Sequence, residues 1–392
     1  MMGAGRPDEN ARLVTTKQIS GRVQLSVGEP APWFTQRSGN RSNFAFDTAA
    51  GRYVVLCFFG SASDKRGRAA VKAIVGKRTV FDDIKACFFG VSLDESDETK
   101  RRVFDSYPGL RFIWDFDGAV SKLYGALPLD VEPGNMAFKQ LWFVLDPTLR
   151  VLKILPFSDD GRCSAEILAF LQILPAPSHF AGFEVHAPVL ILPNVLELNL
   201  CRHLVGLYEA NGGKESGFMR DVDGKTMLVY DPVYKRRGDF TILDTELRRQ
   251  LKTRISRCIV PEIRKICHFT ATRIERFMVS CYSSEDGGRF APHRDNTTRA
   301  TAHQRFAVSI NLNSDYTGGE ITFPEYGPRS FKPGPGGALV FSCSLLHTVS
   351  TVRAGKRYAF LPFLYDDAAA RIREQNVDFS EGDQIHGADG SK

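Results

Sequence analysis

The sequence predicts two successive domains of different class: an α/β domain with a partly parallel sheet, then an α+β domain whose short strands form a β-sandwich or jelly roll. Three observations carry this. Strand-like apolar runs alternate with helical patterns from residue 53 to residue 174, the order that builds a parallel sheet covered by helices. Two prolines in PAPSH, 175–179, stop the last of those helices. Beyond them come two helical patterns and then short strands divided by Gly and Pro, the signature of a β core with helical support. The 392 residues suit two domains, or three, at roughly 150 residues each.

The elements follow in order. YVVLCFFG at 53–60 is a β-branched and aromatic run ending in Gly, as in a buried strand. A helical stretch runs from about Lys65 to Ala86, then a second apolar run, CFFGVSLD, at 87–94. The charged segment DETKRRVFDSY reads as a helix before a third strand, LRFIWDFD at 110–117. LWFVLD and RVLKILPF flank Pro147 and Thr148 as an antiparallel hairpin, and Ile167, Leu168, Leu171, Ile173 and Leu174 have the spacing of a closing helix. In the second domain APVLILPNVL reads as a strand, ELNLCRHLVGLYEANGG as an amphipathic helix with a Gly stop, and Asp244 to Cys267 as a long helix. The strands IERFMVSCY, RFAVSINLN, EITFP, ALVFSCS and KRYAFLPFLY follow. Phe218 to Phe240 lies between helical patterns and carries Gly224, Pro232 and Gly238, so it is expected to be a long mobile flap.

Composition narrows the function classes. A hydrophobic share of 43% and a charged share of 24% are those of a globular chain. The net charge of +6 is spread in short mixed clusters, which gives no basic stripe of the kind a nucleic-acid partner requires. KRR at 235–237 reads as a solvated loop. The first twenty residues hold no apolar signal core, and no apolar run approaches the ~20 residues that span a bilayer. The eight cysteines form no C-x-x-C pair, which fits reduced thiols. A soluble cytoplasmic protein is expected.

The chemistry concentrates near the C-terminal end. On a strand, positions i and i+2 share a face, so His293 and Asp295 of the sequence His-Arg-Asp can hold one ion while Arg294 points away. Two imidazoles and a carboxylate on one side of iron(II) leave three positions open. H-x-D alone is weak evidence in a chain with eight His and 45 acidic residues. Context strengthens it. His347 follows the apolar strand ALVFSCS, and Arg357 opens the strand after it, where a guanidinium can grip a dicarboxylate by a bidentate pair. A one-residue slip would put Lys356 there instead. His303, eight residues past the H-x-D motif, reads as surface or substrate loop.

Tyr282, His293-Arg294-Asp295, GGEITFP at 318–324, PGPGGALVF at 333–341, His347 and Arg357 stand in the order and spacing of one known family. This half resembles the prolyl 4-hydroxylase-like branch of the Fe(II)- and 2-oxoglutarate-dependent dioxygenases, whose core is a double-stranded β-helix (jelly roll). The loop SSEDGGRFAPH lacks the family's second aromatic match. The resemblance implies Fe(II) on His293, Asp295 and His347, with 2-oxoglutarate and O2 as cosubstrates. It also implies that Arg357, aided by Tyr282, binds the C5 carboxylate, and that ascorbate serves as reductant. The retained Asp295 implies hydroxylation over halogenation, with release of succinate and CO2. The expected substrate is a protein, peptide or amino acid.

In the first half, the GEPAPWF lead-in at 28–34 and the FVLDPTLRV hairpin resemble the thioredoxin-like fold of peroxiredoxins and redoxins. That family's P-x-x-x-T-x-x-C pattern falls on Gly60, Asp64 and Gly67, and no cysteine lies between Cys57 and Cys87. The resemblance therefore implies the fold without the peroxidase, leaving a non-catalytic binding module as a second function class. The resulting division is a flexible tail at 1–21, a thioredoxin-like domain at 22–175, a linker at 176–179, a dioxygenase domain at 180–367 and a polar tail at 368–392. Oligomeric state is not legible.

Overall fold

The computed structural model describes residues 18–19, 21–39, 41–130, 138–158, 160–222, 225–376 and 384–386. It divides into two compact units, 1–185 and 186–392, a few residues past the expected linker. Within that linker Pro177–His179 forms a short 3-10 turn.

The first unit holds a seven-stranded mixed sheet. Its strands are β1 (Thr35–Ser38), β2 (Arg41–Ala45), β3 (Tyr53–Gly60), β4 (Ala86–Ser92), β5 (Leu110–Trp114), β6 (Leu141–Leu145) and β7 (Val151–Pro156). They lie in the order β2-β1-β5-β4-β3-β6-β7, with β3, β4 and β5 parallel and β6 and β7 antiparallel. This is the expected thioredoxin-like α/β arrangement. Every residue of β3 and β4 is buried, because both faces of a central parallel strand are covered. The Asp146 carboxylate closes the β6–β7 turn by accepting from the Thr148 and Arg150 amides.

Helix α1 (Lys65–Val75) is capped by Asp64, which accepts from the Arg66 and Gly67 amides, and it buries Gly67, Ala70, Val71 and Ile74. The spacing is that of one helical face. The helix ends at Val75 and does not reach Ala86, because Gly76 follows and the Asp82 carboxylate then draws in the Ile84 and Lys85 amides. The expected charged helix is likewise cut to Glu95–Thr99, with Arg101 left-handed at φ 50. Helix α2 (Cys163–Ile173) closes the unit.

The second unit is a jelly roll backed by helices. Its strands are β8 (Leu190–Leu192), β9 (Lys214–Glu215), β10 (Phe218–Val222), β11 (Lys225–Tyr230), β12 (Lys235–Arg236), β13 (Gly238–Thr241), β14 (Arg273–Glu275), β15 (Met278–Ser283) and β16 (Arg289–His293). After these come β17 (Phe306–Asn311), β18 (Ile321–Thr322), β19 (Ser330–Phe331), β20 (Ala338–Ser342), β21 (His347–Val349), β22 (Lys356–Phe360) and β23 (Phe363–Tyr365). The larger sheet runs β8-β20-β17-β22-β15-β13-β9, with β23 added beside β17 and β14 beside β23; the smaller runs β12-β16-β21-β18-β19.

Strand alternation sorts the side chains of the larger sheet. Cys281, Val308, Ile310, Val340 and Tyr358 join the core made with helices α3 (Leu198–Asn211), α4 (Thr245–Cys258) and α5 (Val260–Cys267). Tyr282, Leu339 and Phe363 instead join Phe290, Phe323, Phe341 and Val349 in the inner core. The expected single helix from Asp244 to Cys267 is two, because Pro261 sits in the first turn of α5 and cannot continue α4.

Two further expectations are corrected. Phe218 to Phe240 is not one long loop: β10 and β11 form a hairpin, and β12 and β13 enter the two sheets. Gly224 of that segment lies outside the described residues. The stretch after 367 is not simply a polar tail, since Asp366 caps a helix at Asp367–Gln375 that buries Ala369, and Gln384–His386 pairs in parallel with β11. Of the expected N-terminal tail, Gln18–Ile19 pairs with Arg22–Val23, while residues 1–17 and 20 lie outside the described residues.

Candidate metal and cosubstrate site

His293 ends β16 and His347 opens β21, and the two are register partners. Their rings lie 4.2 Å apart, centroid to centroid. Asp295 follows at the strand end, its amide donating to the Cys343 carbonyl at 2.9 Å. The Asp295 carboxylate stands 3.6 Å from His293 Nε2 and 3.7 Å from His347 Nε2, and one donor atom of each residue falls within 4.8 Å of the others. The carbonyls of Ala291 and Leu345 face His293 Nδ1 and His347 Nδ1 at 2.7 and 3.0 Å. With Nδ1–H given to a carbonyl, each Nε2 is left as a lone-pair ligand. Phe290 stacks on the His293 ring at 3.5 Å and Phe341 meets the His347 ring at 4.7 Å. The donor set fits iron(II): two imidazoles and a carboxylate on one side, walled by aromatics.

Burial would raise the Asp295 carboxyl, but His347, His293 and Arg276 outweigh it and hold it below the usual range. Burial, with His293 beside it, lowers His347 to about 4 from 6.5. The folded, metal-free protein therefore resists protonation that the unfolded chain accepts. The stability this neutral ring allows is present above pH 6.5 and lost as pH falls towards about 4. Denaturant midpoints of chelator-treated protein should fall through that window, and more steeply than those of His347→Gln. Parallel curves would reject this cause.

Arg357 is 2% exposed and faces inward from β22. Its Nε and Nη2 donate to Asn311 Oδ1 at 3.2 and 3.1 Å, and Nη2 also to Ser309 Oγ at 2.8 Å. Tyr282 is its register partner on β15, and the guanidinium lies 5.3 Å from that ring. Lys356 points the other way, 3.9 Å from Glu209 and 42% exposed. A Cβ on Gly319, at φ +70, would meet Arg357 Cδ at 3.0 Å. The glycine of GGEITFP thus lets the chain close over this arginine. Tyr316 has a buried hydroxyl without a hydrogen-bond partner among the described residues. Burial raises its phenol while nearby Arg357 works against that rise. An orphaned hydroxyl beside an inward guanidinium fits the end of a dicarboxylate.

Sequence reasoning missed several neighbours. Ser309, Asn311 and Tyr316 were legible only as alternate inward positions once the register was known. KRR is not a solvated loop: Lys235 is 5% exposed, and its Nζ donates to Ser216 Oγ and the Gly217 carbonyl at 2.8 and 2.6 Å. Arg237 pairs with Asp239 at 2.7 Å and reaches the Tyr282 hydroxyl at 3.5 Å. Only Arg236 keeps the exposed position, as alternation demands. His303 is not at the surface either, being 3% exposed with Nε2 at 3.0 Å from Glu275. Tyr234 packs on Phe218 and Phe290 and donates to the Pro292 carbonyl at 3.2 Å, which makes it part of the pocket wall.

In the first unit, Gly67 stands in the first turn of α1. A Cβ there would lie 2.3 Å from the Ser61 carbonyl oxygen and 3.0 Å from that of Phe59. Backbone cannot yield cheaply, so Gly67→Cys is expected to destabilise the fold by about 1–3 kcal/mol and to gain no peroxide turnover. Denaturant titration and peroxide consumption of the full chain check this; a stable, active variant would contradict it.

A jelly roll with two histidines and an aspartate converging at one point has the ligand set of non-haem iron oxygenases. Residues 277–365 match the 2OG-Fe(II) oxygenase superfamily, and residues 27–154 match the AhpC/TSA family. Among solved structures the chain is similar to a Trichoplax adhaerens prolyl hydroxylase in complex with a hypoxia inducible factor oxygen degradation domain peptide fragment, at 19% identity over 48% of this chain and 86% of that one, TM-score 0.37. A Pseudomonas putida prolyl-4-hydroxylase is matched at 14% identity over 45% of this chain and 92% of that one, TM-score 0.35. A bacterioferritin comigratory protein of Xanthomonas campestris is matched at 16% identity over 36% of this chain and 90% of that one, TM-score 0.30.

Proposed function

We propose that the domain at 180–367 is an Fe(II)- and 2-oxoglutarate-dependent dioxygenase that hydroxylates a protein, peptide or amino-acid substrate. The observation that carries this is the convergence of His293, Asp295 and His347 within 4.8 Å inside a segment that matches the oxygenase superfamily. The reaction balances as 2-oxoglutarate, O2 and R–H giving succinate, CO2 and R–OH. Bound iron would supply the site of O2 reduction, with 2-oxoglutarate giving two of the four electrons and R–H the other two. The chain's own part is to hold and to exclude. His293, Asp295 and His347 hold the metal, with each Nδ1 anchored to a carbonyl. Arg357, kept straight by Ser309 and Asn311, receives the C5 carboxylate, with Tyr316 and Tyr282 beside it. Phe290, Phe323 and Phe341 keep water from the reacting atoms. Ascorbate is the proposed reductant that restores Fe(II).

The redoxin-like domain is proposed as a non-catalytic binding module, since the Gly67 position has no room for a nucleophile. A cytoplasmic location is part of the reading, supported by eight free cysteines. Among the described residues no helix is long and apolar enough to cross a membrane.

The test is anaerobic addition of Fe(II) and 2-oxoglutarate to the full chain, followed by O2 and succinate detection with peptides and amino acids. A weak visible metal-to-ligand band and succinate release are expected. Absence of both overturns the reading.

A further inference from the structure

Three arginines around this pocket are engaged by side-chain acceptors. Arg357 holds Ser309 and Asn311, Arg237 holds Asp239, and Arg294 holds Glu325 at 2.8 Å. Among the described residues no acceptor takes a hydrogen bond from Arg276; its contact is the Phe363 ring, 4.9 Å from the guanidinium carbon. The adjacent carboxylate is not free to serve it, because Glu275 is taken up by His303 at 3.0 Å and by Gln304 at 2.8 Å.

Arg276 is half-buried, on a wall that solvent still reaches. It stands between β14 and β15 in the left-handed region, at φ 61, a conformation that costs an arginine free energy and persists only where its surroundings impose it. Its neighbours make the position costly as well. Burial and the charge of Arg237 lower its pKa against the opposing charges of Glu275, Asp239 and Asp295, and the buried Nε of Arg237 also lacks an acceptor among the described residues. A solvent-reached guanidinium with no hydrogen-bonded acceptor, beside a second one, can receive an incoming anion.

Register says which anion. Arg357 pairs with Tyr282 near one end of β15, whereas Arg276 precedes the opposite end, before Met278. At ~3.3 Å per residue the backbone positions of Arg276 and Tyr282 are up to about 20 Å apart, so the two arginines enter the pocket from well-separated backbone positions. Phe363, the ring 4.9 Å from the Arg276 guanidinium, belongs to the same inner core as Phe290 and Phe341, the rings that wall His293 and His347, which places Arg276 beside the pocket.

We propose that Arg276 receives a carboxylate of the primary substrate, so that the enzyme selects an acidic peptide or amino acid. This rests on the dioxygenase reading for the identity of the reaction alone. The carboxylate can come from an acidic side chain or from a free C-terminus, and Arg276 would grip either by its two-pronged edge.

The test uses the full chain with Fe(II) and 2-oxoglutarate under anaerobic conditions, and three peptide pools of otherwise random sequence. One pool is acetylated and amidated with a fixed glutamate, the second has glutamine there, and the third has glutamine and a free C-terminus. Binding of the first or the third at least about tenfold tighter than the second is expected, as a charge-assisted pair allows, and which of the two is preferred identifies the source. Arg276→Gln should erase the preference and Arg276→Lys keep part of it, so a folding defect in one variant does not decide the matter. Equal binding of all pools by the parent protein, including none, overturns the proposal, as does a preference that survives in Arg276→Gln. The proposal also fails if Arg276→Gln weakens the 2-oxoglutarate titration of the metal-to-ligand band, since the anion would then be the cosubstrate. Absence of that band in the parent protein would instead sink the dioxygenase reading while leaving the carboxylate preference readable.

Discussion

His347→Ala is expected to eliminate the anaerobic metal-to-ligand band and to lower succinate formation by more than about a hundredfold. Changing only the partners that orient metal ligands costs about 10–100-fold in affinity or activity, and this substitution removes one of three proposed ligands outright. The ring is buried beside Phe341 and Phe323, so deleting it also opens a cavity worth about 2–4 kcal/mol of stability. His347→Gln fills most of that space without restoring an imidazole, and it should be better folded yet equally inactive. Thermal melts separate the two effects. Full succinate formation by either variant would remove His347 from the site.

The histidines and Asp295 were legible in the sequence because a strand's two-residue repeat forces His293 and Asp295 towards one face, and because His347 follows an apolar strand. That His347 would be the register partner of His293 was not legible, since pairing depends on a ladder between segments far apart in the chain. The same limit explains Lys235 and Arg237. Three consecutive basic residues look like solvated charge until β12 and β13 alternate two of them inward, where Ser216, Gly217 and Asp239 compensate them. Compensation of that kind is a tertiary property. The break at Pro261 is of another kind, because its signal is local and stands in the sequence, while the apolar spacing continues across it on either side.

The choice between Lys356 and Arg357 is where register has the largest functional consequence. Arg357→Ala is expected to weaken 2-oxoglutarate binding by between about a hundredfold and a few thousandfold, the equivalent of roughly 3–5 kcal/mol for breaking a buried charge pair. The distal carboxylate would be left against Ser309, Asn311 and the Tyr316 hydroxyl, which can donate hydrogen bonds but carry no charge. Iron binding should change much less, since none of the three proposed ligands touches Arg357 among the contacts described. Arg357→Lys keeps the charge but loses the fork by which Nε and Nη2 reach Asn311, so an intermediate loss is expected. Lys356→Ala should leave the cosubstrate affinity unchanged, because its ammonium lies near Glu209 on the outer face. Titration of the metal-to-ligand band with 2-oxoglutarate reads all three variants. A large effect of Lys356→Ala with none from Arg357→Ala would mean that strand alternation, and not merely one residue's role, has been misassigned in β22.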